Sequence, residues 1–91
     1  MITTDHPLAT QAGAEVLAGG GQAVDAAIAA NLVLAVVRPH MCSLGGDLFA
    51  LVYIAQTGRL EALNAGGRSS QAAELEKYRA MGLAEIPKSV F

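Results

Sequence analysis

The stretch Pro39-His40-Met41-Cys42-Ser43-Leu44-Gly45-Gly46-Asp47 carries the densest set of reactive side chains in the sequence. A thiol two residues from an imidazole suggests a nucleophile with its base, or two metal ligands. Zinc centres take at least three protein ligands, and His6 and Asp47, the other candidates, are not brought to the pair by any spacing in the sequence. No metal site is expected. A catalytic histidine must itself be oriented by a third group, and no neighbour here supplies one. Cys42 therefore reads as a small apolar side chain rather than a nucleophile. Ser43, Thr3 and Thr4 have no better claim, because Thr4 is not at the chain terminus and lacks a free α-amine to act as its base. No catalytic residue is expected within these residues.

Two glycine clusters remain. Gly19-Gly20-Gly21-Gln22-Ala23-Val24-Asp25 lacks the Lys-Ser/Thr of a P-loop, and it lacks the preceding strand and third glycine of a dinucleotide fingerprint. It reads as a tight turn between two closely packed helices, and no cofactor is expected. Gly66-Gly67-Arg68 differs in kind. A guanidinium placed where the chain leaves a strand and enters a helix can hold a carboxylate through two parallel hydrogen bonds. Its plainer alternative is a solvated surface arginine.

The elements that must position these residues follow from spacing. Pro7 suits the first turn of a helix, with Asp5 or His6 as its cap. Leu8, Ala12, Val16 and Leu17 recur at helical intervals until the glycine triplet ends the run. A second helix is predicted from about Ala23 to Val37, with Asp25 at the positive end of its dipole. Only Asp25 and Asn31 interrupt its apolar surface. They lie about 120° apart around the axis, so the helix has no wet face and must be covered nearly all round. Pro39 ends it. Leu48 to Ile54 has the length and composition of a strand, Gln56-Thr57-Gly58 turns the chain, and Leu60 to Asn64 returns as a more polar strand. This predicts a hairpin with one inner and one outer strand. A third helix is predicted over Gln71 to Met81, with Glu74/Lys77 and Glu76/Arg79 as surface pairs and Gly82 at its end. The fold class is α/β (α+β): two helices, a β-hairpin and a third helix.

Composition sets the scale of the assembly. Of 91 residues, 53% are hydrophobic and only 15% charged, against about 25% charged in an ordinary soluble domain. A chain this short leaves much of its surface in water and needs polar cover for it. The last residues, Ile86 to Phe91, end in apolar side chains with no polar tail. Residues 1–91 are therefore expected to be one partial domain of a larger protein. The alternatives are a self-contained helical packing module or an obligate oligomer. With net charge −2 and scattered basic residues, no nucleic-acid or membrane partner is expected. The longest apolar run, Ala23 to Val37, is shorter than the roughly 20 residues a bilayer requires. The opening residues do not resemble a secretory signal, and the lone Cys42 favours a reducing compartment, so a cytoplasmic location is expected.

Several motifs occur in one order: His6-Pro7-Leu8-Ala9, Gly20-Gly21-Gln22-Ala23-Val24-Asp25-Ala26-Ala27, Val37-Arg38-Pro39-His40, Gly45-Gly46-Asp47-Leu48-Phe49, and Leu51-Val52-Tyr53 followed by Gln56-Thr57-Gly58. Over about residues 3 to 75 the chain resembles the opening of the γ-glutamyltranspeptidase family. Gln22 stands where the family usually has asparagine.

The resemblance implies the N-terminal-nucleophile hydrolase fold, a four-layer αββα sandwich. It implies a precursor that cleaves itself into a large and a small subunit, whose new terminal threonine attacks a γ-glutamyl amide. This chain would be the N-terminal part of the large subunit. Its partners would be the rest of that subunit, the small subunit and a small-molecule γ-glutamyl substrate. The family's large subunit holds the substrate carboxylate with an arginine in a segment of the form LD.RE.AP. Aligned without gaps, Leu63-Asn64-Ala65-Gly66-Gly67-Arg68 places Gly66 in the arginine position, with Arg68 two residues later. It looks more like the N.SGR.P branch, which includes acylases and amidohydrolases acting on other amides. Arg68 is the candidate substrate-binding residue.

Overall fold

The computed structural model describes residues 1–85, and the last six, 86–91, with their apolar end, lie outside the described residues. The chain forms two compact units, Met1–Leu48 and Phe49–Phe91.

In the first unit, helix α1 spans Pro7–Ala18 and helix α2 spans Ala23–Val37. His6, not Asp5, caps α1: its Nδ1 accepts the Leu8 N–H at 3.2 Å, satisfying a donor that has no partner inside the helix. The Thr4 hydroxyl fixes this cap. It donates to the His6 carbonyl at 2.8 Å, accepts the His6 N–H at 3.3 Å, and shares a 2.8 Å bond with the Thr10 hydroxyl. At the other end, Gly20 takes a left-handed φ of 90°. The Gly20 N–H then reaches the Leu17 carbonyl at 3.1 Å and the Gly21 N–H reaches Val16 at 2.9 Å. This is a Schellman motif, which uses up the last carbonyls of α1. A Cβ on Gly21 would lie 2.5 Å from Val16 Cγ1 and 2.9 Å from the Val16 carbonyl oxygen. The Gly21 position admits no side chain. Helix α2 starts at once, and Asp25 Oδ2 accepts the Gln22 N–H at 2.9 Å.

Small residues form the contact between the two helices. Ala9, Ala26 and Ala30 are buried, as is Gly13. A Cβ on Gly13 would collide with the Ile2 side chain and come within 3.1 Å of the Ala26 carbonyl oxygen. The close approach thus depends on side chains spaced four apart on each helix and too short to hold the backbones apart. The larger apolar residues are left outside. Val24, Ile28, Leu32 and Val36, also spaced four apart, are 46, 56, 47 and 78% exposed. The all-round cover predicted for α2 is therefore supplied on one side only among the described residues. Beyond α2, the Arg38 carbonyl accepts from Met41 and Cys42, and the Arg38 guanidinium pairs with Asp5 at 2.9 Å.

In the second unit, strands β1 (Leu48–Ile54) and β2 (Arg59–Ala65) pair in an antiparallel two-stranded sheet. The turn uses Gly58 at φ 66°, with the Thr57 N–H on the Ile54 carbonyl at 3.2 Å. β2 is one residue longer at each end than the spacing predicts. Neither strand is an inner strand within the described residues. Only Ala50 and Val52 of β1 are half-buried, and every residue of β2 is exposed.

Helix α3 covers only Leu75–Ala80, against the predicted Gln71 to Met81. The physical reason is Ser70, whose hydroxyl accepts the Ala72 N–H at 3.2 Å and whose carbonyl accepts the Ala73 N–H at 2.9 Å. Those bonds hold a turn where the first helical turn was expected. Glu74 becomes the N-cap residue, in extended conformation, and its carbonyl takes the Lys77 N–H. A Glu74–Lys77 ion pair is absent among the described residues, whereas Glu76–Arg79 forms at 3.2 Å. Gly82 closes the helix at φ 72°, with Gly82 and Leu83 N–H groups on Arg79 and Tyr78 carbonyls.

Candidate functional site

Arg68 lies on the segment between β2 and α3 and is exposed. The segment bends as soon as the strand ends, because Asn64 Oδ1 accepts the Gly66 N–H at 3.1 Å. This is an asparagine side chain imitating a backbone turn. Gly67 follows at φ 72°, a conformation glycine adopts without the steric cost an L side chain meets. Ser70 then anchors the far side of the segment. The sequence has four arginines, and three are engaged: Arg38 with Asp5, Arg59 with Glu61 at 2.7 Å, and Arg79 with Glu76. Arg68 has no ion-pair partner among the described residues. Its five N–H donors face solvent, where a planar carboxylate can take two of them at once.

The reactive stretch at 39–47 is arranged differently. Cys42 is half-buried and His40 exposed. Asn31, Cys42, Ser43 and Asp47 line an open hollow of about 370 Å³, and His40 does not line it. The thiol and imidazole are thus not gathered into a nucleophile–base pair in that hollow. Among the described residues no three His, Cys, Asp or Glu side chains converge as metal ligands. The Thr4 hydroxyl is fully used by the α1 cap, as donor once and acceptor twice. The glycine triplet closes helix α1 through the left-handed Gly20.

Sequence reasoning missed Asn64 and Ser70 as the residues shaping the Arg68 segment. The available signal was an asparagine two residues before a glycine pair, the spacing of a side-chain-capped turn.

The family described as Gamma-glutamyltranspeptidase matches residues 9–90. The chain belongs to the γ-glutamyltranspeptidase family. Among its curated relatives, the Glutathione hydrolase-like YwrD proenzyme of Bacillus subtilis is 42% identical over 87 residues, which is 96% of this chain and 16% of the relative. The Oxamate amidohydrolase proenzyme of Klebsiella pneumoniae is 41% identical over 78 residues, covering 86% of this chain and 15% of that protein. The crystal structure of Helicobacter pylori γ-glutamyltranspeptidase superposes with a TM-score of 0.73 at 39% identity, over 79% of this chain and 20% of that one. The helices and hairpin are therefore α/β elements of the N-terminal-nucleophile hydrolase fold. Relatives of the family are proenzymes. The chain spans about a sixth of the length of the curated relatives it matches. Among the described residues no helix is long and apolar enough to cross a membrane.

Proposed function

We propose that the full-length protein carrying this segment is an amide hydrolase of the γ-glutamyltranspeptidase type, acting on γ-glutamyl amides. The 42% identity to a glutathione hydrolase-like proenzyme over nearly the whole chain carries this reading. In it, a threonine hydroxyl outside these residues attacks the γ-glutamyl carbonyl, with a free α-amine taking its proton. N–H donors stabilise the oxyanion, the amine leaves with a proton, and the acyl group passes to water or to an amino acid. The catalytic groups belong to the small subunit. This segment contributes part of the large subunit's frame and, through Arg68, a partner for the substrate carboxylate. The lone Cys42 supports a cytoplasmic setting as part of the same proposal.

A second reading is favoured by one observation. Gly66 occupies the family's arginine position and Arg68 lies two residues later, and an oxamate amidohydrolase is 41% identical. On that reading the substrate is a different, smaller amide that also carries a carboxylate. Assays of the full-length protein separate the two. Release of chromophore from a γ-glutamyl anilide is the expected result, whereas ammonia release from oxamate alone selects the second reading. Turnover of neither amide by a folded protein sinks both.

A further inference from the structure

Arg68 lies two residues beyond the family's arginine position, on the segment that turns after β2. In extended chain, a position two residues further on lies about 7 Å further along, roughly the reach of an arginine side chain. The chain is not extended here. Asn64 Oδ1 captures the Gly66 N–H at 3.1 Å and Gly67 turns left-handed at φ 72°, so the chain bends before it reaches Arg68. Nothing lies within 4 Å of a Cβ built on Gly67, so conformation rather than space calls for glycine there. On the far side, Ser70 holds the Ala72 and Ala73 N–H groups. Arg68 is thus presented from a short segment fixed at both ends by side-chain-capped turns.

We infer that Asn64, acting with the left-handed Gly67, is a positioning residue that presents Arg68 to the substrate carboxylate. The inference rests on the reading that Arg68 binds that carboxylate. Asn64 touches no substrate in this scheme. It fixes where the strand ends and so where the guanidinium stands.

The test is steady-state kinetics of the full-length protein on whichever amide it turns over, γ-glutamyl anilide or oxamate. Asn64→Ala should raise KM about three- to tenfold with kcat within about twofold, the scale of one lost hydrogen bond. Asn64→Ser, whose hydroxyl can accept the same N–H, should recover most of the loss. Gly67→Val, whose branched side chain resists the left-handed backbone, should behave like Asn64→Ala. In an Arg68→Ala background, Asn64→Ala should add nothing further. If Arg68→Ala raises KM and Asn64→Ala does not, the inference is overturned while the reading of Arg68 stands. If Arg68→Ala leaves KM unchanged, the reading fails and the inference with it. An additive Asn64→Ala effect in the Arg68→Ala background also overturns the inference, because Asn64 would then act by a route independent of Arg68. Should Asn64→Ala fail to fold, the Ser and Gly67 variants decide the matter.

Discussion

Arg68 stands apart because the other arginines are spoken for. An arginine already paired with a carboxylate must break that pair to take a substrate, whereas Arg68 needs only to shed water. In the proposed full-length enzyme Arg68→Ala should therefore weaken kcat/KM by about 2–4 kcal/mol, roughly thirty- to a thousandfold, mostly through KM. Arg68→Lys should recover only part, since an ammonium cannot reproduce the planar fork. On the same proposal the precursor cleaves itself before it binds substrate, so cleavage followed by gel electrophoresis should survive both changes. A KM within about twofold of wild type for the folded Arg68→Ala variant would make Arg68 a surface residue. The candidate was legible in the sequence as an arginine after paired glycines. Its support was not, because hydrogen bonds from Asn64 and Ser70 to the backbone depend on turn geometry that residue types alone leave open.

At the scale of elements, the helical hairpin depends on glycines doing two different jobs. Gly20 supplies a left-handed φ and Gly21 supplies room beside Val16. Gly21→Ala should therefore cost about 1–3 kcal/mol, the range for forcing atoms into a filled space. It should lower the melting temperature of the full-length protein more than Gly19→Ala, whose Cβ would meet nothing nearer than 3.4 Å. Equal shifts for the two variants would count against this account. Helix α2 and both strands were readable from the sequence almost to the residue, because long apolar runs bounded by glycine or proline leave few alternatives. The extent of α3 was not, since Ser70 offers the backbone a local turn that competes with the helix. Nor was the α1–α2 contact. Periodicity drew attention to Leu8 and Val16, but the seam belongs to Ala9, Gly13, Ala26 and Ala30, which are inconspicuous in a hydrophobicity pattern.

For the molecule as a whole, the described residues bury three alanines as their hydrophobic core and leave many large apolar side chains in water. The stripe along α2 in the first unit and, separately, the bare faces of β1 and β2 in the second each expose more apolar surface than singly scattered residues would. In the proposed enzyme, other parts of the sandwich cover them. The 91 residues on their own should consequently bind a hydrophobic dye, melt without a sharp transition and turn over no γ-glutamyl amide. A cooperative melt with no dye binding would favour a self-sufficient packing module. Turnover abolished by Cys42→Ala would overturn the assignment of chemistry to the small subunit.

The two-stranded sheet has a further consequence, for self-association. Among the described residues the hairpin's two strands leave an unpaired row of backbone donors and acceptors on each outer edge, and β1 reads Leu48-Phe49-Ala50-Leu51-Val52-Tyr53-Ile54, without charge, proline or glycine. Such a segment matches the signature of a steric zipper, in which copies stack in register and interdigitate their side chains. Freed from its neighbours, this hairpin should seed cross-β fibrils detectable by thioflavin fluorescence. Leu51→Lys, placing a charge at the centre of the strand, should delay them severalfold by burying like charges along the stack. Fibril growth at an unchanged rate in that variant would point to aggregation through the α2 stripe instead.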